Sequence, residues 1–416
     1  MTLRTERRLV PSTAPSTRYV LAEIIAPEAP RTQARLPVNV ALVLDRSGSM
    51  GGQKIELARN AVARALTLLR PTDRFSLVAY DEHIDVVVSS TLATGEAKRN
   101  ALARLEHVDA RGSTNLEGGW RRGAEQVAGV RTDDAVQRCL VVTDGLANVG
   151  VTDHDTLVRY ADELRRQGIS TSTFGVGADF DERLLQQMAD AGGGHFYYIE
   201  QAVQIPDLLA SELGETLEVV ARDAALVAQV PEGVRLQPLQ TLAINEAGQL
   251  VRIELGDLVS AQELQVVLRV SLPAGGTADH IGIKLHLVDR EGVLDTSVDE
   301  VSWSVASDRD NERQPRDRVV DRAVATLRAA QARQAALELN RAGRFDEARQ
   351  LLERVAAELR ADAGHDAALL AIARQLLEEL EVFAVCMSPV AMKRVQFASY
   401  AEVKMRTVDG RARRSR

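Results

Sequence analysis

The sequence predicts an α/β protein: a doubly wound, mostly parallel sheet of the Rossmann-like kind, joined to a β-sandwich domain and a C-terminal α-helical region. Three observations carry this. From about residue 37 to residue 217, apolar runs of strand length alternate with amphipathic helical stretches. Repeated βα units of that kind imply a parallel sheet with helices on both faces. From there to about residue 306, short β-type segments are divided by Gly- and Pro-containing turns, as in a sandwich. Beyond that, apolar residues recur at helical spacing in stretches rich in Ala, Leu, Arg and Glu.

The elements follow in order. Residues 1–36 hold one alternating strand, 18–25, then Pro-rich turn material, and are expected to pack on the sandwich. The α/β domain is expected over 37–217. Residues 38–44 are apolar except at Asn39 and read as a buried strand; a helix over 55–69 follows and is stopped by Pro71. Segments 75–80 and 86–90 read as two strands close together, 96–108 and 115–127 as helices, and 138–143 as a buried strand. Helices over 156–167, 182–191 and 205–217 and strands over 169–175 and 195–199 continue the alternation.

The sandwich, 218–306, is expected to use strands at 224–230, 241–244, 250–255, 263–271, 280–288 and 300–305. Its turn signals include Pro231-Glu232-Gly233 and Arg290-Glu291-Gly292. Residues 307–316, SDRDNERQPR, are nearly all polar and read as a flexible linker. Amphipathic helices over 318–340, 345–359 and 366–383 then make a three-helix region, 317–384, expected to stand as its own unit. The turn that begins at Arg341 resembles a tetratricopeptide-style hairpin, but one hairpin is too short for a solenoid. Residues 385–416 are read as a basic tail; from Lys404 to Arg416 six basic residues face one acid, Asp409, and a solvated, disordered segment is expected.

Composition removes several classes of function. Of 416 residues, 45% are apolar and 26% charged, which excludes collagen-like, disulfide-scaffold and wholly disordered chains. Runs such as 38–44 and 266–270 are far below the roughly 20 apolar residues that span a bilayer. The start, MTLRTERRLVPSTAPST, has no apolar stretch after its basic residues, so a cytoplasmic location is the expectation. A net charge of −8 and 4% aromatic residues argue against nucleic acid as a partner, except through the basic tail. Cys139 and Cys386 sit in apolar contexts without a metal-type neighbour and read as buried free thiols.

The chemistry concentrates in Asp45-Arg46-Ser47-Gly48-Ser49-Met50-Gly51, between a buried strand and a helix. In a parallel sheet that point is the carboxyl end of a strand, where ligands gather. One carboxylate and two hydroxyls at i, i+2 and i+4 on a tight loop can turn toward one point. Gly112-Ser113-Thr114-Asn115 adds a hydroxyl at the opening of a helix, and Thr143-Asp144-Gly145 adds a carboxylate at a strand end. Oxygen-only donors suit a hard dication and do not suit zinc or copper. Two carboxylates leave such an ion near neutral, and the donor count leaves a coordination position for an outside group: an open site. Ser, Thr and Asp also serve as turn formers and caps, so the weight rests on the five together.

Asp45, Ser47, Ser49, Thr114 and Asp144, in the strings VLDRSGSM, GSTNL and VTDGLANVG, resemble the metal-ion-dependent adhesion site of the von Willebrand factor type A domain. The resemblance covers about 180 residues, 37–217, and extends less specifically to the flanking β module of bacterial cytosolic members. It implies that Ser47, Ser49 and Thr114 ligate the metal directly and that Asp45 and Asp144 act through bound water or as hydrogen-bond acceptors. A partner's Glu or Asp then fills the open position. Arg46 occupies a variable motif position; at the rim it would attract an acidic partner, and packed elsewhere it carries no such meaning.

Other chemistries find no support. Ser47 stands where a nucleophile elbow needs glycine, and Gly48 to Lys54 lacks the P-loop pattern. His195, after three glycines, reads as a strand-start residue, and Asp153-His154-Asp155 as a helix start. The expectation is a non-enzymatic, metal-dependent protein-binding module, with Mg²⁺ as the cation and Mn²⁺ or Ca²⁺ as alternatives. A metal-assisted phosphoester hydrolase using the same ion, and a scaffold with a vestigial site, are the competing readings.

Overall fold

The computed structural model describes residues 1–29, 35–274, 280–294 and 297–414. The chain divides into two compact units, one of residues 31–219 and 389–397, the other of residues 1–30, 220–388 and 398–416.

In the first unit, β1 (Val38–Asp45) is followed by α1 (Gln53–Leu68), β2 (Arg74–Tyr80), β3 (Ile84–Leu92), α2 (Gly95–Leu105) and α3 (Leu116–Ala128). Then come β4 (Val136–Thr143), α4 (His154–Arg166), β5 (Ile169–Val176), α5 (Glu182–Ala191), β6 (Gly193–Ile199) and α6 (Ile205–Thr216). The sheet order is β3-β2-β1-β4-β5-β6. All neighbours are parallel except β2 and β3, which form an antiparallel hairpin at one edge. Every residue of β1 and β4 is buried, as strands covered on both faces require. The strand order reverses between β1 and β4, so helices leave to opposite faces there and a crevice opens at their carboxyl ends. Asp45 ends β1 and Asp144 follows β4.

Two glycines bring α3 down onto that crevice. A methyl group at Gly119 would lie 2.3 Å from the Tyr80 ring, and one at Gly123 would lie 2.3 Å from Val43 Cγ2. At the other end of the sheet Asp73, fully buried, accepts Val38 N–H at 3.0 Å and Arg70 N–H at 2.6 Å and pairs with Arg35. Burial alone would raise its pKa; the Arg35 guanidinium and the two backbone donors outweigh this and hold it below the usual value. A depressed native pKa contributes stability above pH ~4 that is lost as pH falls through the native value. Asp73→Asn is therefore expected to cost about 3 kcal/mol at pH 7 and to flatten the stability profile below pH ~4, read by urea melts across pH.

The second unit holds two sheets. Thr2–Thr5, Ser16–Ile25, Glu263–Leu272 and Arg235–Pro238 form one, antiparallel throughout. The other has the order Ile244–Ala247, Leu250–Val259, Val219–Gln229, His280–Val288, Asp299–Ala306, Leu9–Pro11. Val20, Ala22, Ile24, Val266, Leu268 and Val270 of the first sheet share one core with Leu226, Ile283, Leu285 and Trp303 of the second. The N-terminal residues are thus integral strands of both sheets. Segments 2–5, 9–11 and 235–238 are too short to show in the sequence pattern, and the strand expected at 241–244 forms at Ile244–Ala247.

Four expectations are corrected. The polar stretch 307–316 is not a free linker. Ser307 caps the helix Asp308–Arg313, Arg18 donates to Asn311, and Gln314 accepts the Leu9 N–H at 2.7 Å. The helices after it do not stand apart: Leu21 and Val267 turn away from the shared core and are covered by Val320, Val324 and Leu327 of the helix Arg318–Arg341. Residues 385–414 are not a disordered tail. They include the helix Pro389–Val403, after which Met405 enters the shared core, Glu263 N–H donates to Arg413 O at 2.9 Å, and Arg406 is buried with its guanidinium on Gly410 O. Residues 415 and 416 lie outside the described residues. Cys139 is buried, and burial pushes its thiol up to about 12; Cys386, contrary to expectation, is exposed.

Candidate functional site

The loop after β1 begins with a turn that the Asp45 carboxylate makes on its own backbone: Oδ1 accepts Ser47 N–H at 2.7 Å, and Oδ2 accepts Thr143 Oγ–H of the neighbouring strand at 2.6 Å. Gly48 to Met50 then form one 3₁₀ turn, and Gly48 N–H donates to Gly112 O at 3.0 Å. Arg46 O accepts Arg111 N–H at 2.7 Å, tying the first loop to the second. Gly112 has φ of +67°, and a side chain there would collide with Glu82, whose carboxylate accepts Ser113 N–H at 2.6 Å. Asn115 caps α3 through Gly118 N–H at 3.0 Å.

These ties bring all five sequence-designated residues to one place. Ser47 Oγ and Ser49 Oγ are 3.1 Å apart, and Ser49 Oγ donates to Asp144 Oδ1 at 2.6 Å. A methyl group at Gly145 would lie 3.2 Å from Thr114 Oγ1 and 3.6 Å from Ser49 Oγ, so those two hydroxyls border one small space that glycine leaves open. Both carboxylates are fully buried, whereas Ser49 is exposed, giving a charged floor with an open mouth. Burial pushes the Asp45 carboxyl up to about 6, against the hydrogen bonds from Thr143 and Ser47, and Asp144 nearby adds to the rise. Two buried carboxylates with three hydroxyls are a donor set that fits a hard dication, which would offset the cost of burying like charges together.

Arg46 is not at the rim. It is 6% exposed; its Nε donates to Asp81 Oδ2 at 3.0 Å and its other arm pairs with Asp85. Asp81 also accepts Arg111 Nε–H at 2.7 Å and His83 N–H at 2.6 Å, so it ties the first and second loops to the turn between β2 and β3. Motif reading cannot see this partner, because Asp81 lies 35 residues downstream of Arg46.

Sequence reasoning also missed Thr143, Asn148 and Lys54 as site residues. Asn148 Oδ1 accepts Thr114 N–H at 2.9 Å, while Thr114 O accepts Asn148 N–H at 3.1 Å and Val149 N–H at 3.2 Å. Lys54, in the first turn of α1, sets its ammonium on Asp144 Oδ2 and donates to Ser49 O at 3.3 Å. Away from this mouth, His195 Nδ1 stands 3.1 Å from Glu212 Oε2, with Glu215 near. Ser172 Oγ–H and Tyr197 O–H also donate to Glu212, each at 2.6 Å, so this buried carboxylate is held by hydroxyls.

A doubly wound, mostly parallel sheet with an open, oxygen-lined crevice at its switch point defines a Rossmann-like α/β domain. Residues 39–211 match the von Willebrand factor type A domain family, and this part of the chain is such a domain. Over 196 residues the chain is 30% identical to the uncharacterized protein YfbK of Escherichia coli, covering 46% of this chain and 34% of that protein. It is 26% identical over 270 residues to an uncharacterized Synechocystis protein, sll0103, covering 62% and 63%. The chain thus spans between about a third and two thirds of these relatives. Among solved structures, a von Willebrand factor type A protein from Catenulispora acidiphila aligns with a TM-score of 0.72 at 17% identity, over 97% of this chain and 96% of that one. The ArnB paralog VWA2 from Sulfolobus acidocaldarius aligns with a TM-score of 0.61 at 16% identity, over 96% and 97%. Both share the fold, including the accompanying sheets and helices. Among the described residues no helix is long and apolar enough to cross a membrane.

Proposed function

We propose that the domain is a metal-dependent protein-binding module that captures a carboxylate of a partner, with no catalytic step of its own. Ser47, Ser49 and Thr114 would hold the cation, Mg²⁺ by preference for hard oxygen donors, and Asp45 and Asp144 would balance its charge from the floor. The bound ion supplies electrostatic attraction for an outside anionic oxygen. The observation that carries the reading is the convergence of three hydroxyls on two buried carboxylates beneath an exposed mouth. Exposed Leu146 and Val151, beyond Asp144, give a partner apolar surface beside that mouth. The role fits a cytoplasmic scaffold that assembles a complex.

The test is capture of partners from a cell extract on the immobilised protein, with Mg²⁺ or with chelator, and with free glutamate as competitor. Retention that needs Mg²⁺ and is displaced by glutamate at millimolar concentration is expected. Equal retention with chelator would overturn the reading. Phosphoester hydrolysis above that of a Ser47→Ala control would favour an enzyme instead.

A further inference from the structure

Lys54 is in an electrostatically wrong place for a helix. It is the second residue of α1, where the positive end of the helix dipole repels a cation. Its ammonium is held there by the fully buried Asp144, on Oδ2, and by Ser49 O at 3.3 Å. Gly177, with φ of +78°, passes the same ammonium, and a methyl there would come 3.8 Å from Nζ. Asp144 therefore gives Oδ1 to the Ser49 hydroxyl at 2.6 Å and Oδ2 to Lys54.

The consequence is a change of sign at the mouth. Arg46 is spent on Asp81 and Asp85 and Glu82 on Ser113 N–H, so the charges within the hydrogen-bonded floor itself are Asp45, Asp144 and Lys54. Two carboxylates alone would leave a dication neutral; with the lysine the loaded centre carries one positive charge. We propose that Lys54 is the specificity determinant of this site: it weakens the dication by sharing Asp144 and makes the loaded centre select an anionic ligand over a neutral oxygen ligand. The inference rests on the metal-binding reading above and adds to it the residue that enforces a carboxylate partner.

The two effects have opposite signs, and no packing role moves them apart. In Lys54→Met the affinity for Mg²⁺ alone, titrated by calorimetry, is expected to tighten by roughly tenfold, since a like charge next to the ion is removed. Binding of acetate to the Mg²⁺-saturated protein, followed by NMR of backbone amides in the loops, is expected to weaken by a similar factor, while acetamide is unaffected. Lys54→Arg should keep the parent behaviour in both titrations, and melting without metal checks that each variant folds. Unchanged Mg²⁺ and acetate binding in Lys54→Met would overturn the proposal. Weakening of both would also overturn it, since Lys54 would then merely position Asp144. A parent that binds no Mg²⁺ would instead bring down the metal-site reading itself, and this proposal with it.

Discussion

Asp144→Ala is expected to abolish the rise in melting temperature that Mg²⁺ gives the parent. At a hundredfold excess over its dissociation constant, an ion that binds only the folded state adds about 2.7 kcal/mol, or a shift of about 5–10 °C in a domain of this size. The substitution removes one of two floor carboxylates, the acceptor of the Ser49 hydroxyl and the counter-ion of Lys54. Metal affinity is expected to fall by a hundredfold or more, and carboxylate capture with it. Ser47→Ala with Ser49→Ala removes two oxygen donors and no charge, so it separates coordination from electrostatics. Both side chains sit on a loop, where they add little to the core, and melting without metal should stay within about 1 kcal/mol of the parent. A thermal-shift series with Mg²⁺, Mn²⁺ and chelator reads all of this. Equal metal-induced shifts in parent and variants would show that these five residues are not the metal site.

The α/β domain was legible because its signals are local. A strand buried on both faces must read as a continuous apolar run, as 38–44 and 138–143 do, and hydroxyls at i+2 and i+4 from a strand-end aspartate announce a loop. What was hidden depends on distance along the chain. Arg46 meets Asp81, and Thr114 meets Asn148, through folds of 35 and 34 residues. Lys54 stands nine residues after Asp45, but nothing in a linear reading says that its ammonium turns back over the β4 end. Polarity misled in the other direction at 307–316 and 385–414. The strand 263–272 shows why: its alternate residues serve two cores, and Val267 has to be covered by helix residues 53 to 60 positions later. Side chains such as Arg18 and Lys393 satisfy polar segments that composition alone assigns to solvent.

Removal of residues 389–416 is expected to be the most damaging truncation of the chain, although the sequence pattern presents it as trimming a tail. Residues 389–397 belong to the α/β unit. There Lys393 is 3% exposed, donates to Phe180 O at 2.7 Å, pairs with Glu182 and sits over the Phe180 ring at 4.3 Å. Phe397 packs edge-on against Phe196, with ring centroids 6.0 Å apart. Deletion leaves the largely covered Glu182 and the Phe180 carbonyl without that cation and uncovers the aromatic residues. In the other unit the same deletion removes the buried Tyr400, Ala401, Val403 and Met405 and the pairing of Arg413 with Glu263. At about 1.5–3 kcal/mol per large buried side chain the loss is on the order of 5 kcal/mol or more, comparable to the whole stability of a domain. The expected result is an aggregating or partly unfolded protein, seen as lost near-ultraviolet circular dichroism and early proteolysis. The single substitution Lys393→Met refines this. It keeps the apolar stem, removes the cation from Glu182, the Phe180 carbonyl and the Phe180 ring, and should cost about 2 kcal/mol in the α/β unit alone. A solvated tail makes the opposite forecast: a change under about 1 °C for the deletion and none for the substitution.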